Sequence, residues 1–285
     1  MEADSVTRVQ VQGLRARMLT AGLLAPLVIA AVLMLPTAWF AGLMALFVGL
    51  AAWEWSGLAG FDSALARAGY VLSTLICLLL LWDAAPRGLD AFLLACAALW
   101  WLALLVRLGL IHRIEPAPPT EPLLLLLGLL VLSAPWLALV HLHGLQGDGP
   151  FLALSLLLLI WIADTAAYFS GRRFGRAKLS ALLSPGKTRI GVYGGILAAA
   201  LWGGVLALAL GLPVVKGSLL VLICVVTAVM SVVGDLFESL LKRRRGIKDA
   251  GSLLPGHGGM LDRIDSTTAA APIFALGLIW LIGGP

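Results

Sequence analysis

Charge is what this sequence has least of: 12% of its 285 residues are Asp, Glu, Lys or Arg, about half the share of an ordinary soluble domain. That shortage excludes a solvated globular surface, and 61% hydrophobic residues with a mean hydropathy of +1.01 place the chain in a membrane. Cysteine is scarce as well. Cys77, Cys96 and Cys224 each stand alone in an apolar run without a CxxC or CxxH neighbour, so they read as core residues rather than as a redox pair or thiolate site. Only four histidines occur, and the H-x-H pair His141 and His143 has too few ligands nearby to read as more than an interfacial pair. The GxxxxGK[ST] spacing of a Walker A loop is absent. No internal repeat and no shift in composition marks a separate soluble domain.

What is present is a series of apolar runs of membrane-spanning length. They predict an all-α, polytopic integral membrane protein with about nine transmembrane helices, near 18–36, 37–58, 69–83, 88–106, 122–141, 150–170, 191–212, 217–238 and 266–283. Residues 1–17 read as a cytoplasmic tail and 18–285 as one membrane domain. No small-x-small cleavage site ends the first run, so it is expected to be a retained helix.

The pI of about 9.4 suggests nucleic acid at first sight, yet the basic residues cluster in loops that flank apolar spans. Eighteen of the twenty fall in alternate segments, and only Arg87 and Lys216 fall in the others. That asymmetry writes membrane orientation, so no nucleic-acid partner is expected. It places the N-terminus and the most charged stretch of the chain on the cytoplasmic side.

That stretch runs from Gly234 to Ser266 and gathers Asp235, Glu238, Asp249, Asp262 and Asp265 with Lys242, Arg243, Arg244, Arg245, Lys248 and Arg263. Acids in or beside spans are costly and point to function. Asp164, near the cytoplasmic end of the sixth span, is a further one. Glu54, between Trp53 and Trp55 in the second span, reads equally as a functional acid or as an interface marker. Three helix ends thus deliver carboxylates to one membrane face, where unpaired they repel one another. A hard divalent cation resolves that conflict, because Mg²⁺ favours one or two carboxylates plus substrate phosphate oxygens. The loop 171–195 supplies Ser184-Pro185-Gly186-Lys187-Thr188 ahead of a Gly-rich helix start, a pattern suited to phosphate approach at a helix N-terminus.

These residues resemble the phosphatidate cytidylyltransferases, or CDP-diacylglycerol synthases. The family signature is matched with every spacing kept by Ser239, Lys242-Arg243, Lys248-Asp249, Leu254-Pro255, His257-Gly258-Gly259, Asp262-Arg263 and Asp265. Upstream, the resemblance takes in Asp164, Thr165, Ala167, Tyr168 and Gly171, then Ser184–Thr188, then Gly234–Ser239. It covers the half from about residue 160 to 285. One departure is visible: Arg189 and Ile190 stand where the family has an aromatic residue and then Glu or Gln.

The resemblance implies transfer of a cytidylyl group from CTP to phosphatidate, giving CDP-diacylglycerol and pyrophosphate. It implies Mg²⁺ and a second cation, with Asp235, Asp262, Asp249 and Asp265 as metal ligands. It implies catalytic parts for Asp249, Asp262, Lys248, His257 and Arg263. Lys187, Ser184, Thr188, Lys242, Arg243, Gly258 and Gly259 become substrate contacts, with Asp164, Glu238 and Glu54 as further site residues. A homodimer in a bacterial inner membrane, contacting membrane lipid and with its site facing the cytoplasm, completes the expectation. A CTP-dependent lipid kinase and a cation-coupled transporter are the competing readings. Acids at helix ends beside basic loops, with no repeat, argue against the transporter, whose sites lie near the bilayer midplane.

Overall fold

The computed structural model describes residues 25–85, 88–251 and 258–283. Among them the chain forms α1 (Ala25–Met34), α2 (Thr37–Leu58), α3 (Ala64–Ala84), α4 (Leu89–Gly109), α5 (Pro122–Gly144) and α6 (Gly149–Phe174). A hairpin of β1 (Lys178–Ser180) and β2 (Ser184–Thr188) follows, then α7 (Arg189–Ala209), α8 (Val214–Arg244) and α9 (Leu261–Gly283). Eight of these helices are long and apolar enough to cross a membrane. The ninth, α1, is the described part of the expected 18–36 span, and the 1–17 tail lies outside the described residues.

The helices fall where the apolar runs predict them and differ mainly at their polar ends. The third starts at Ala64 rather than 69, because the Ser63 hydroxyl accepts from the Ala66 N–H at 3.1 Å and caps it. The eighth continues to Arg244 instead of 238, and the ninth begins at Leu261 instead of 266. Hydropathy registers only the apolar part of a helix, whereas the backbone hydrogen-bond ladder runs on through polar turns.

The stretch read as a basic loop after α6 is partly a hairpin, with Lys178 opposite Thr188 and Ser180 opposite Ser184. It is the one departure from all-α among the described residues. Thr188 closes β2 and caps α7, its hydroxyl accepting from the Gly191 N–H at 3.1 Å. The glycines that open α7 were expected to admit phosphate. They admit α6: a Cβ on Gly191 would lie 2.8 Å from the Ala167 carbonyl oxygen, and one on Gly194 would lie 2.1 Å from the Ser170 hydroxyl. Small residues that let two backbones approach are the usual means of packing helices in lipid.

Two sets of contacts fix the alternation of helix ends. At one end, His141 pairs with Asp90 at 2.5 Å. His143 stacks on Phe40 and bonds Thr37 Oγ1 and the Val32 carbonyl at 3.0 and 2.8 Å. These contacts join the starts of α2 and α4 to the ends of α1 and α5, and the two histidines serve helix packing, as their isolation suggested. At the other end, the close of α2, the start of α5, the hairpin, the close of α8 and the start of α9 converge.

Candidate active site

At 1.5 Å per residue the 31-residue α8 is about 46 Å long, roughly half as long again as a bilayer's hydrocarbon core. It runs on past its apolar stretch, and its polar C-terminal turns carry Asp235, Glu238 and Lys242. Gly234, one residue before the first of them, brings α9 against α8. A Cβ there would lie 2.3 Å from the Asp265 carbonyl oxygen, so only glycine permits the contact.

Acids outnumber lysines among the charges that meet at this junction. Lys187, held at the end of β2, pairs with Asp235 Oδ2 at 2.5 Å, and the Asp235 Oδ1 accepts from the Ser239 hydroxyl at 3.3 Å. Asp164 on α6 lies within electrostatic range of both Lys187 and Asp235, as does Asp265 on α9. Asp265 faces the carboxylate of Glu238. Lys242 lies 3.5 Å from Glu238 Oε2 and 2.6 Å from Asp262 Oδ1. Acids and lysines from α6, the hairpin, α8 and α9 thus form one continuous relay, predicted residue by residue but not as pairs.

Asp262 is more heavily committed than a loose metal ligand. Its Oδ2 accepts from the Ala250 and Gly259 N–H groups at 3.0 and 2.8 Å, so one carboxylate holds both ends of the loop that joins α8 to α9. Glu54 completes that junction. Its Oε1 accepts from the Met260 N–H at 3.0 Å and its Oε2 from the Leu261 N–H at 2.7 Å. It is the acceptor for the otherwise unpaired donors at the start of α9. Room for it is left by two glycines: a Cβ on Gly251 or Gly259 would lie 2.2 or 2.4 Å from a Glu54 oxygen. Gly258 adopts φ +79°, a conformation that favours glycine. Nor is Glu54 set in an interfacial tryptophan pair. Trp55 is buried and donates to the Leu124 carbonyl at 2.9 Å, while Trp53 is part-exposed beneath Arg67.

The other expected residues divide by place. Arg243, Lys248, Asp249 and Arg263 are exposed around the relay. Ser184 and Thr188 belong to the hairpin, and the buried Thr188 side chain is occupied in capping α7. Arg189 and Ile190, at the departure from the family pattern, open α7 and are exposed. His257, Leu254 and Pro255 lie outside the described residues. Sequence reasoning missed Glu121, which pairs with Arg244 at 2.8 Å, and counted Arg245 among the cations without its part, donation to the carbonyls of Leu58 and Pro118, both at 2.7 Å. Two residues of the basic run thereby anchor the Pro-rich link between α4 and α5.

Among the described residues no three of His, Cys, Asp or Glu stand close enough to enclose an ion unaided. The donor set nevertheless suits a hard cation shared with substrate. Every acid in it offers oxygen, and both buried Glu238 oxygens lack a hydrogen bond, so that Lys242, 3.5 Å from Oε2, is set against the charges of Glu238 and the facing Asp265 together, a burial that a further cation would relieve. Mg²⁺ characteristically takes one or two carboxylates and fills its remaining positions with phosphate and water.

A model of the cytidylyltransferase family matches residues 15–280. The chain is 38% identical over 281 residues to the phosphatidate cytidylyltransferase of Pseudomonas aeruginosa, covering 95% of this chain and 98% of that one. It is 35% identical over 288 residues to the Haemophilus influenzae protein of the same name, covering 92% and 97%. A third so named, from Thermotoga maritima, is 42% identical over 125 residues, 42% of this chain and 46% of its own.

Proposed function

The chain belongs to the cytidylyltransferase family and transfers a cytidylyl group from CTP to phosphatidate, and from that premise we propose that the acid and lysine relay between α6, the hairpin, α8 and α9 is its reaction centre. A phosphatidate phosphate oxygen attacks the α-phosphorus of CTP. The bond from that phosphorus to the bridging oxygen breaks, and pyrophosphate leaves with the electron pair. The products are CDP-diacylglycerol and pyrophosphate. A phosphate monoester at neutral pH is already a nucleophile, so the protein's work is to bring two anions together and balance the charge that develops.

Lys187 and Lys242 provide positive charge for the triphosphate, each kept in place by a carboxylate partner. One or two of Asp235, Asp265, Glu238 and Asp164 would hold Mg²⁺, with phosphate and water at its other positions, Asp262 and Asp249 at its margin and a second cation drawn to the same field. Bound Mg²⁺ supplies neutralisation of the triphosphate and of the departing pyrophosphate. Asp262 and Glu54 act by fixing the loop and the start of α9. Exposed Arg243, Lys248 and Arg263 stand at the rim for the phosphatidate headgroup, with Gly258 just before α9.

The observation that carries this reading is the buried Glu238 carboxylate without a hydrogen-bond partner, set beside Asp265 and Lys242. The test is purified protein in detergent with phosphatidate and CTP labelled at the α- or γ-phosphorus, with Mg²⁺ titrated after chelation. Label from the α position alone should enter lipid, in step with pyrophosphate and in proportion to Mg²⁺. Entry of γ label would instead make the protein a lipid kinase, and full activity without divalent cation would remove the metal.

We also propose a bacterial inner membrane location with the site facing the cytoplasm, supported by the bacterial relatives and the partition of basic residues. In a cysteine-free variant, a cysteine in the hairpin at Gly186 should be labelled only from the cytoplasmic side and one at Lys216 only from outside. The reverse pattern overturns the orientation. A homodimer embedded in membrane lipid is the assembly we propose. Its support is α3, the least enclosed of the eight long helices at 17% buried, and a cysteine at Leu72 should cross-link there between two copies.

A further inference from the structure

On the opposite side of α8 from the relay lies a cleft of about 580 Å³. At about 100° per residue, Asp235, Glu238 and Lys242 share one face of that helix. Phe237, Leu240, Leu241 and Arg244, which line the cleft, share the other. The helix itself therefore separates the cleft from the reacting groups. Its body is apolar, formed by Trp100 and Leu104 of α4, Leu124 and Leu127 of α5, and Phe237 and Leu240 of α8.

The rim is charged and sits at the membrane face that carries the relay. Of its residues, Arg244 is paired with Glu121 and Arg113 with Glu115, each at 2.8 Å. Arg107, near the end of α4, lines the cleft, is exposed, and makes no ion pair among the described residues. An apolar slot one to two turns deep thus ends in one uncompensated positive charge at the interface.

We propose that this cleft binds an anionic phospholipid that acts neither as substrate nor as product. Its headgroup phosphate meets Arg107, and an acyl chain lies along Trp100, Leu127 and Phe237. The apolar body gives a free phosphate nothing to bind, and the single cation distinguishes an anionic from a zwitterionic headgroup. The volume is that of an ordinary small-molecule site. The bound lipid packs on the helix whose other face bears Asp235 and Lys242, so this site goes beyond the reaction centre without sharing its residues.

The test uses the full chain in phosphatidylcholine vesicles doped with acyl-brominated phosphatidylglycerol, compared with the same level of acyl-brominated phosphatidylcholine. Bromine quenches tryptophan at contact, and the Trp100 share is the part lost in Trp100→Phe. The anionic probe should quench that share at about fivefold lower mole fraction in the bilayer than the zwitterionic one, the worth of one basic residue near the surface. Arg107→Gln should abolish the excess, and Arg107→Lys should keep most of it. Neither should alter CDP-lipid synthesis at saturating substrates. Raising the salt should shrink the excess in the unaltered protein, which decides the matter even where a variant does not fold. Equal quenching by both probes, or an excess that survives Arg107→Gln, overturns the proposal. So does displacement of the probe by inorganic phosphate, or no quenching by either lipid because protein covers the cleft.

Discussion

Replacing Glu54 by alanine is expected to lower the thermal stability of the solubilised protein and its turnover together. The variant removes both acceptors from the Met260 and Leu261 N–H groups and leaves them buried between α2 and α9. A hydrogen bond to a charged group contributes about 1.5–3 kcal/mol, so two lost together amount to roughly 3–6 kcal/mol. A void also opens where Gly251 and Gly259 approach the carboxylate, and nothing else on α2 reaches it. The start of α9 then frays, and with it the placement of Asp262 and Asp265. Glu54→Gln keeps one carbonyl acceptor and should lose about half as much, in stability and in kcat alike. The measurements are the unfolding midpoint in one detergent and kcat with CTP at fixed Mg²⁺. A Glu54→Gln protein with unchanged midpoint but no turnover would show that Glu54 works on substrate or cation and not as the cap of α9.

The same residue shows where sequence reading stops. The membrane architecture was legible because lipid requires about 20 apolar residues for each crossing helix, and eight such helices stand within a few residues of the expected spans. The gathering of Asp164, Lys187, Asp235, Lys242, Asp262 and Asp265 was legible because charge is rare elsewhere in the chain. Their pairing was not. Lys187 and Asp235 are 48 positions apart, and nothing in either segment says that the hairpin carries the lysine to α8. Glu54 and Leu261 are separated by 207, and the clue was indirect, in glycines at 251 and 259 that leave space for the carboxylate. Glycine has a second reading at α7, where Gly191 and Gly194 make room for the contact with α6. A glycine states that something comes close, and only the fold says what.

Asp235→Asn is expected to reduce kcat by about 10²–10³, or roughly 3–4 kcal/mol of transition-state stabilisation, by comparison with other deletions of a preorganised charge. Two roles for Asp235 give different patterns when Lys187 is altered as well. If the carboxylate serves only to neutralise Lys187 at 2.5 Å, each single change leaves the other charge half-buried and unpaired. The double variant Lys187→Met/Asp235→Asn should then recover most of the loss, since the cost lies in the stranded partner. If instead Asp235 helps to hold Mg²⁺ while Lys187 meets the triphosphate, removing both removes two separate contributions. The double variant is then slower than either single one. The Mg²⁺ concentration for half-maximal rate rises in Asp235→Asn and the double variant, while Lys187→Met mainly raises KM for CTP. Asp262→Asn is the control within the same relay. Its carboxylate already holds Lys242 and two backbone N–H groups, so its loss should fall on the unfolding midpoint as well as on rate. We expect the second pattern for Asp235. Recovery of activity in the double variant with an unchanged Mg²⁺ requirement would reduce Asp235 to an ion-pair partner and move the cation toward Asp265 and Glu238.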